Sequence, residues 1–126
     1  MSVQIIYFSP TGASAKIAKT VGKGLADILS CESLIHDLTL PAGRSQVINC
    51  AADDIAVLAL PVYGGRIPLA VDTAVRSIKG NNTPAIILAV YGNRAYDDAL
   101  VEMYDILSDN GFKIIAAGGF IGEHSY

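Results

Sequence analysis

Hydroxyl-bearing residues crowd one short stretch, Ser9-Pro10-Thr11-Gly12-Ala13-Ser14, directly after the apolar run Val3–Phe8 and directly before a helical pattern. Three hydroxyls and the N–H groups of Thr11 to Ser14 converge there on one predicted helix N-terminus. Exposed amides and the positive end of the helix dipole make such a place a phosphate site, and hydroxyls can add donors of their own. The loop holds no Lys or Arg, which suits a monophosphate held by neutral donors better than a triphosphate. The competing reading is a plain helix cap, for which Ser and Thr are common. Each hydrogen bond to a charged oxygen contributes about 1.5–3 kcal/mol, so several would anchor such a ligand after association costs.

Other phosphate chemistries are excluded at the same place. A GxxxxGK[ST] loop is absent, and a GxGxxG turn would need more than Gly12. Gly22-Lys23-Gly24 lies inside a helical stripe and carries no phosphate meaning. A phosphatase would want a nucleophilic Cys in this loop, and a phospho-acceptor receiver would want carboxylates after the strands. Phe8-Ser9 and Leu60-Pro61 supply neither.

Two more stretches share the aromatic-plus-glycine character. After Leu60 comes Pro61-Val62-Tyr63-Gly64-Gly65-Arg66-Ile67-Pro68; after Val90 comes Tyr91-Gly92-Asn93-Arg94-Ala95-Tyr96-Asp97-Asp98. Taken singly, each tyrosine reads as ordinary packing. Together with the phosphate loop they describe a site for a flat ring carrying a phosphate tail, where stacking adds about 0.5–1.5 kcal/mol per good pair.

The elements that must position these loops follow from hydrophobic patterning. Val3–Phe8, Ile55–Leu60, Pro84–Val90 and Phe112–Ile121 are near-continuous apolar runs, the signature of strands buried on both faces of a parallel sheet. Ser33–Leu38, with His36 and Asp37, reads as an edge strand. Between them lie stripes at helical spacing: Ile17, Val21, Leu25 and Ile28; Val71, Val75 and Ile78; Leu100, Met103, Tyr104 and Leu107. Asp98, Glu102, Asp105 and Asp109 form the polar face of the last, a solvated surface or a guide for a basic partner. Pro68 suits a helix start, Asn110-Gly111 suits a helix end, and Pro41–Asp53 predicts a brief, irregular helix. The alternation implies a doubly wound α/β sheet with right-handed crossovers, whose ligands bind beyond the carboxyl ends of the strands. Functional residues are therefore expected just after Phe8, Leu60 and Val90.

Composition narrows the function class. The 126 residues predict one domain, 52% of them hydrophobic and 17% charged. The apolar runs fall short of the roughly 18 residues a membrane helix needs, and no secretory signal pattern is visible. A net charge of −3 without a Lys/Arg cluster excludes a nucleic-acid footprint. Cys31 and Cys50 form no CxxC and have no nearby His set, which argues against a disulfide framework, a zinc site or an iron–sulfur cluster within the chain. A cytoplasmic protein is expected.

With these residues assembled, the chain resembles the flavodoxin family, which binds flavin mononucleotide (FMN). Ser9-Pro10-Thr11-Gly12-Ala13-Ser14 is similar to that family's phosphate loop, [ST]-x-T-G-x-[ST]. Pro61–Pro68, Tyr91–Leu100 and Phe120–Tyr126 further resemble the flavodoxin-like half of prokaryotic proteins that join this domain to a ferredoxin half with two [4Fe–4S] clusters. The resemblance covers nearly the whole chain and implies a flavodoxin-like, doubly wound, five-stranded parallel sheet of order 2-1-3-4-5. It implies that Ser9, Thr11, Gly12, Ala13 and Ser14 hold the phosphate. Pro61, Val62, Tyr63, Gly64 and Gly65 would line one side of the isoalloxazine, with Tyr63 stacked on it and the glycines near its N5 edge. Tyr91, Gly92, Asn93, Arg94, Tyr96 and Asp97 would form the other wall, with either Tyr91 or Tyr96 facing the flavin. No catalytic side chain and no metal are implied.

The expected function is electron transfer through FMN, to or from a redox partner such as a [4Fe–4S] ferredoxin domain. One alternative is an NAD(P)H-dependent flavin reductase of quinones or small acceptors, with Arg66 and Arg94 meeting an anionic substrate. Another is a non-redox binding module, in which Glu123 and His124 would be interaction residues. A flavodoxin's final helix has no counterpart after Phe112–Ile121, so 1–126 reads as a domain truncated after its fifth strand, its sheet covered by a partner or by a second copy in a homodimer.

Overall fold

The computed structural model describes residues 1–63, 65–92 and 97–122, with the backbone alone for Asp97. In chain order the elements are β1 (Ser2–Tyr7), α1 (Ala13–Leu29), β2 (Glu32–Asp37), α2 (Pro41–Arg44), β3 (Ile55–Pro61), α3 (Leu69–Arg76), β4 (Thr83–Tyr91), α4 (Asp97–Asp109) and β5 (Phe112–Ile121). The strands form one sheet in the order β2-β1-β3-β4-β5, every neighbouring pair parallel. The polar run containing His36 is an edge strand, as its composition predicts. The registers bring Tyr7, Ala59 and Leu88 abreast, so the segments after β1, β3 and β4 leave the sheet side by side.

Alternate side chains of each strand point to opposite faces, and both faces are covered. Val3, Ile5, Tyr7, Val57, Ala59 and Leu88 meet α1. Ile6, Phe8, Leu58, Leu60 and Ile87 meet Val71 and Val75 of α3 and Met103 and Leu107 of α4. Burial of one such Val, Leu or Ile side chain contributes about 1.5–3 kcal/mol. The unbroken apolar runs of β1 and β3 are thus explained by their place inside the sheet, where helices cover both faces.

Two helices present faces that differ from their sequence stripes. On α1 the fully buried positions are Ser14, Ala18, Gly22 and Ala26, while Ile17, Val21 and Leu25 flank the contact and Ile28 is 80% exposed. A Cβ on Gly22 would overlap the side chain of Ile5, so the helix lies on the sheet through its small residues. On α4, Met103 and Leu107 are buried, but Tyr104 is exposed and Glu102, expected on the solvated face, turns towards the β3–α3 loop.

β5 is the other edge strand, and its apolar run Phe112–Ile121 is not buried on both faces as the sequence predicts, because no element among the described residues lies beyond it to cover that side. Its register with β4 shifts between Ala85 and Ile86, leaving Ile115 without a pairing partner. Lys113, Ile115, Ala116, Ala117 and Ile121 are exposed. At the amino end of the sheet Asp54 accepts the amide and hydroxyl of Ser2 (2.9 and 3.0 Å) and the amide of Ala51 (2.9 Å). Gln4 connects this group to His36, whose Nε2 lies 2.6 Å from Gln4 Oε1. Among the described residues no helix is long and apolar enough to cross a membrane.

Candidate functional site

β1 delivers the chain to the carboxyl edge of the sheet, where the amide of Phe8 still bonds Ala59 (3.3 Å). The next residues form a cradle. The Ser9 amide donates to Thr39 Oγ1 at 3.0 Å, and Ser9 Oγ accepts the amide of Ala15 at 2.9 Å. The Gly12 amide returns to the Ser9 carbonyl (3.3 Å), and the Gly12 carbonyl accepts Lys16, the first helical bond of α1. Gly12 has φ +91, a left-handed conformation in which a side chain is strained, and the space where its Cβ would stand is open.

This arrangement leaves the amides of Thr11, Ala13 and Ser14 without an acceptor among the described residues. No acidic side chain occupies the first turn of α1. Unsatisfied amides at the positive end of a helix dipole, with no carboxylate to fill them, fit an oxyanion. Thr11 and Gly12 are exposed to such a ligand, Ser9 and Ala13 partly so, whereas Ser14 is buried beneath the loop. The Ser9 hydroxyl is committed as acceptor to Ala15, so towards a ligand it has only its proton to offer.

A cavity of about 360 Å³ opens beside the cradle, bounded by Thr11, Gly12 and Lys16 on one side and Val90, Ile121 and Gly122 on the other. Lys16 brings a cation next to a loop that contains none. It follows Gly12 by four residues, one helical turn, a spacing that was legible in the sequence.

The second wall is the β3–α3 loop. The Val62 amide donates to Val90, and Tyr63 and Arg66 exchange both backbone hydrogen bonds (2.9 and 3.1 Å), closing a two-residue turn. Gly65, in that turn, has φ +81. Tyr63 is 52% exposed at the mouth of the turn, available for a ring to stack upon. Arg66 is engaged: its Nη2 lies 2.6 Å from Glu102 Oε2. This guanidinium, with the amide of Ile67, holds the Glu102 carboxyl below the usual carboxylate range against the opposing effect of burial. Arg66 is therefore bound to α4 instead of being a spare cation for an anionic substrate.

The third wall begins at Tyr91 and Gly92, both half-buried, and the Gly122 amide donates to the Tyr91 carbonyl at 2.8 Å. Gly64, Asn93, Arg94, Tyr96, Glu123 and His124 lie outside the described residues, as does the side chain of Asp97.

No family model matches this chain, and no curated protein matches its sequence. Solved structures do. A flavodoxin of Streptococcus pneumonia TIGR4 aligns over 100% of this chain and 88% of its own with a TM-score of 0.70 at 15% identity. The two-electron reduced flavodoxin of Megasphaera elsdenii aligns over 94% and 85%, with a TM-score of 0.70 at 14% identity. A Fusobacterium nucleatum flavodoxin bound to flavin mononucleotide covers 90% of this chain and 68% of its own, with a TM-score of 0.62 at 13% identity. The fold is flavodoxin-like.

In this flavodoxin-like sheet, several residues that shape the site escape a reading of local sequence. Thr39, beyond the end of β2, holds the first cradle residue. Arg44 donates to the carbonyls of Leu38 (2.9 Å), Thr39 (3.0 Å) and Ala70 (3.1 Å) and lies over the ring of Phe8, so it braces the end of β2 against α3. Glu102 meets Arg66 across 36 residues of chain. No motif connects such positions; they meet only because parallel strands bring their following loops to one edge.

Proposed function

We propose that this chain is an FMN-binding, flavodoxin-like electron-transfer domain. One observation carries the reading: the amides of Thr11, Ala13 and Ser14, open among the described residues and with no acidic side chain in the first turn of α1, beside a turn that exposes Tyr63. The first feature fits a phosphate and the second a planar ring. A flavodoxin of the same fold is bound to FMN.

In this reading the three amides, the proton of Ser9 Oγ and the hydroxyl of Thr11 hold the phosphate, with Lys16 adding charge compensation. Ser14 contributes chiefly through its amide, since its side chain is buried. Tyr63 stacks on the ring, Gly65 lets the turn approach it closely, and Tyr91 and Gly92 border the opposite side. FMN, when bound, supplies the redox chemistry; the protein supplies binding, orientation and electrostatics. The electrons pass to or from a partner protein, and the resemblance of Pro61–Pro68, Tyr91–Leu100 and Phe120–Tyr126 to two-part flavodoxin–ferredoxin proteins favours a [4Fe–4S] ferredoxin module. A reductase of anionic acceptors has less support, because Arg66 is paired with Glu102.

The test is a titration of flavin-free protein with FMN and with riboflavin, followed by the visible flavin bands. FMN is expected to bind and riboflavin to bind far more weakly, because it lacks the phosphate. Equal affinity for the two would remove the cradle from the site, and binding of neither would overturn the reading.

A further inference from the structure

Glu102 stands on α4, yet both of its carboxylate oxygens serve the β3–α3 loop. Oε1 accepts the amide of Ile67 at 3.1 Å and Nε of Arg66 at 3.4 Å; Oε2 accepts Nη2 of Arg66 at 2.6 Å. The Glu102 side chain is only 13% exposed, against 68% for Arg66. Nη2 of Arg76 stands 4.0 Å from Oε2, and Nε of Arg76 is held by Asp72 at 3.0 Å, so a second cation borders the carboxylate. A carboxylate this enclosed, contacting two consecutive residues, is a clamp rather than a member of a solvated stripe.

What the clamp grips matters more than how tightly. Arg66 is the outgoing residue of the turn whose incoming residue is Tyr63, and the two are joined by paired backbone hydrogen bonds. The incoming limb is fixed to the sheet through the Val62 amide and the Val90 carbonyl (2.9 Å). Among the described residues the outgoing limb has no sheet partner at Arg66 or Ile67 beyond the Tyr63 pairing, and Glu102 supplies an anchor there. The height and tilt of Tyr63 over the site are therefore set from both sides, by β4 on one and by α4 on the other.

We propose that Glu102 is a positioning residue for the ring-binding turn: by holding Arg66 and Ile67 it fixes where Tyr63 stands and ties this turn to α4, the helix that follows the opposite loop. The proposal rests on the FMN reading for the identity of the ring; the clamp itself is a property of the protein alone. Glu102 does not touch the phosphate cradle, which is built from β1, α1 and Thr39. Its loss should therefore alter ring binding and leave anion binding intact, a separation that general destabilisation would not produce.

The experiment compares the whole chain with Glu102→Ala and Glu102→Gln. Glutamine keeps an acceptor for Ile67 while losing the charge that faces Arg66, and so guards against a misfolded variant. In flavin-free protein, amide hydrogen exchange is expected to quicken locally at 65–67 in Glu102→Ala and less in Glu102→Gln. With FMN, the affinity is expected to fall about tenfold or more in Glu102→Ala and by a smaller factor in Glu102→Gln, as suits the loss of charge-assisted hydrogen bonds. The bound flavin's visible band shape should change with it, while stabilisation of the protein by inorganic phosphate stays at its original value. Unchanged FMN affinity and band shape in Glu102→Ala would overturn the proposal, as would faster exchange spread over the entire chain or a parallel loss of phosphate binding. If the unaltered protein takes up no FMN, the functional reading fails, and exchange at 65–67 alone then decides the clamp: local quickening upholds it and no change overturns it.

Discussion

Thr39 Oγ1 accepts the amide of Ser9 at 3.0 Å, so the segment leaving the edge strand β2 holds the first residue of the cradle that leaves its neighbour β1. Thr39 is itself set by Asp37, whose carboxylate accepts its amide at 2.9 Å, and by Arg44, which grips its carbonyl. Changing Thr39 to Val keeps the shape and removes the acceptor. The partly buried Ser9 amide is then unsatisfied, which costs about 1–3 kcal/mol. Urea unfolding of Thr39→Val should show that loss, together with weaker FMN binding; an unchanged midpoint would mean that water replaces the threonine without cost.

Ser9 and Thr11 differ in that Ser9 also holds the scaffold, whereas Thr11 serves the ligand alone. Ser9 Oγ accepts the Ala15 amide in the first turn of α1, so Ser9→Ala removes a cap and should destabilise the protein by about 1 kcal/mol. Thr11 is exposed and makes no such bond, so Thr11→Ala should leave the unfolding midpoint alone and weaken FMN by about 1–3 kcal/mol if its hydroxyl is a direct donor. Thermal melts and FMN titrations of the two variants check both halves. Wild-type affinity in Thr11→Ala would strike that hydroxyl from the site.

Gly12 is required by its backbone and not by crowding. Nothing lies near the position of an added Cβ, but φ is +91. Gly12→Ala should therefore cost about 1–2 kcal/mol through strain alone. Because that strain falls on the residue between the open amides of Thr11 and Ala13, phosphate-dependent stabilisation should shrink as well. A melt with and without inorganic phosphate reads both effects.

The two thiols should react very differently. Cys50 is 5% exposed, and burial, helped by the negative charge of Asp54, pushes its thiol up to about 11. Cys31 is partly exposed. A thiol reagent near neutral pH should modify Cys31 in the folded protein and Cys50 only after unfolding, because the thiolate is the reactive form. Mass spectrometry of the labelled peptides gives the answer, and rapid native labelling of Cys50 would contradict the packing of this core.

Acid should weaken the fold in two stages. Burial holds the His36 imidazole below its ordinary 6.5. The unfolded chain therefore binds a proton that the folded one resists, and stability declines as pH falls from 6.5 towards the folded value. For Asp54, burial raises the carboxyl, but the amide of Ala51 and the hydroxyl and amide of Ser2 together outweigh it and hold it below 3.8. Arg66 likewise holds Glu102 below 4.5. Both carboxylates stabilise fully above their ordinary values and lose that contribution as pH falls through the lowered ones. Urea midpoints measured from pH 8 to 3 should be flat at first, then decline in these two steps, and His36→Gln should abolish only the upper one.

Strand number, the parallel class and the polar edge were all legible in the sequence, because the unbroken apolar runs of β1, β3 and β4 lie inside the sheet and the run containing His36 does not. Phe112–Ile121 reads like an inner run, yet it forms the other edge, with Ile115, Ala116 and Ala117 exposed. The hydroxyl-rich turn after Phe8 was legible too, since strand, loop and helix start are contiguous and their chemistry is local. Contacts between distant segments were not. The stripe Ile17, Val21, Leu25 and Ile28 is the more hydrophobic face of α1, yet the sheet takes the small face of Ala18, Gly22 and Ala26, because the distance between helix and sheet is set by what Ile5 leaves room for. Glu102 reads as one acid among four on a wet surface, and becomes a clamp only because the loop after β3 passes in front of it. Local patterning thus determined which elements form and where an anion could sit. Tertiary structure alone decided which side chains hold that place open, since parallel strands joined by long crossovers bring together loops that share no stretch of sequence.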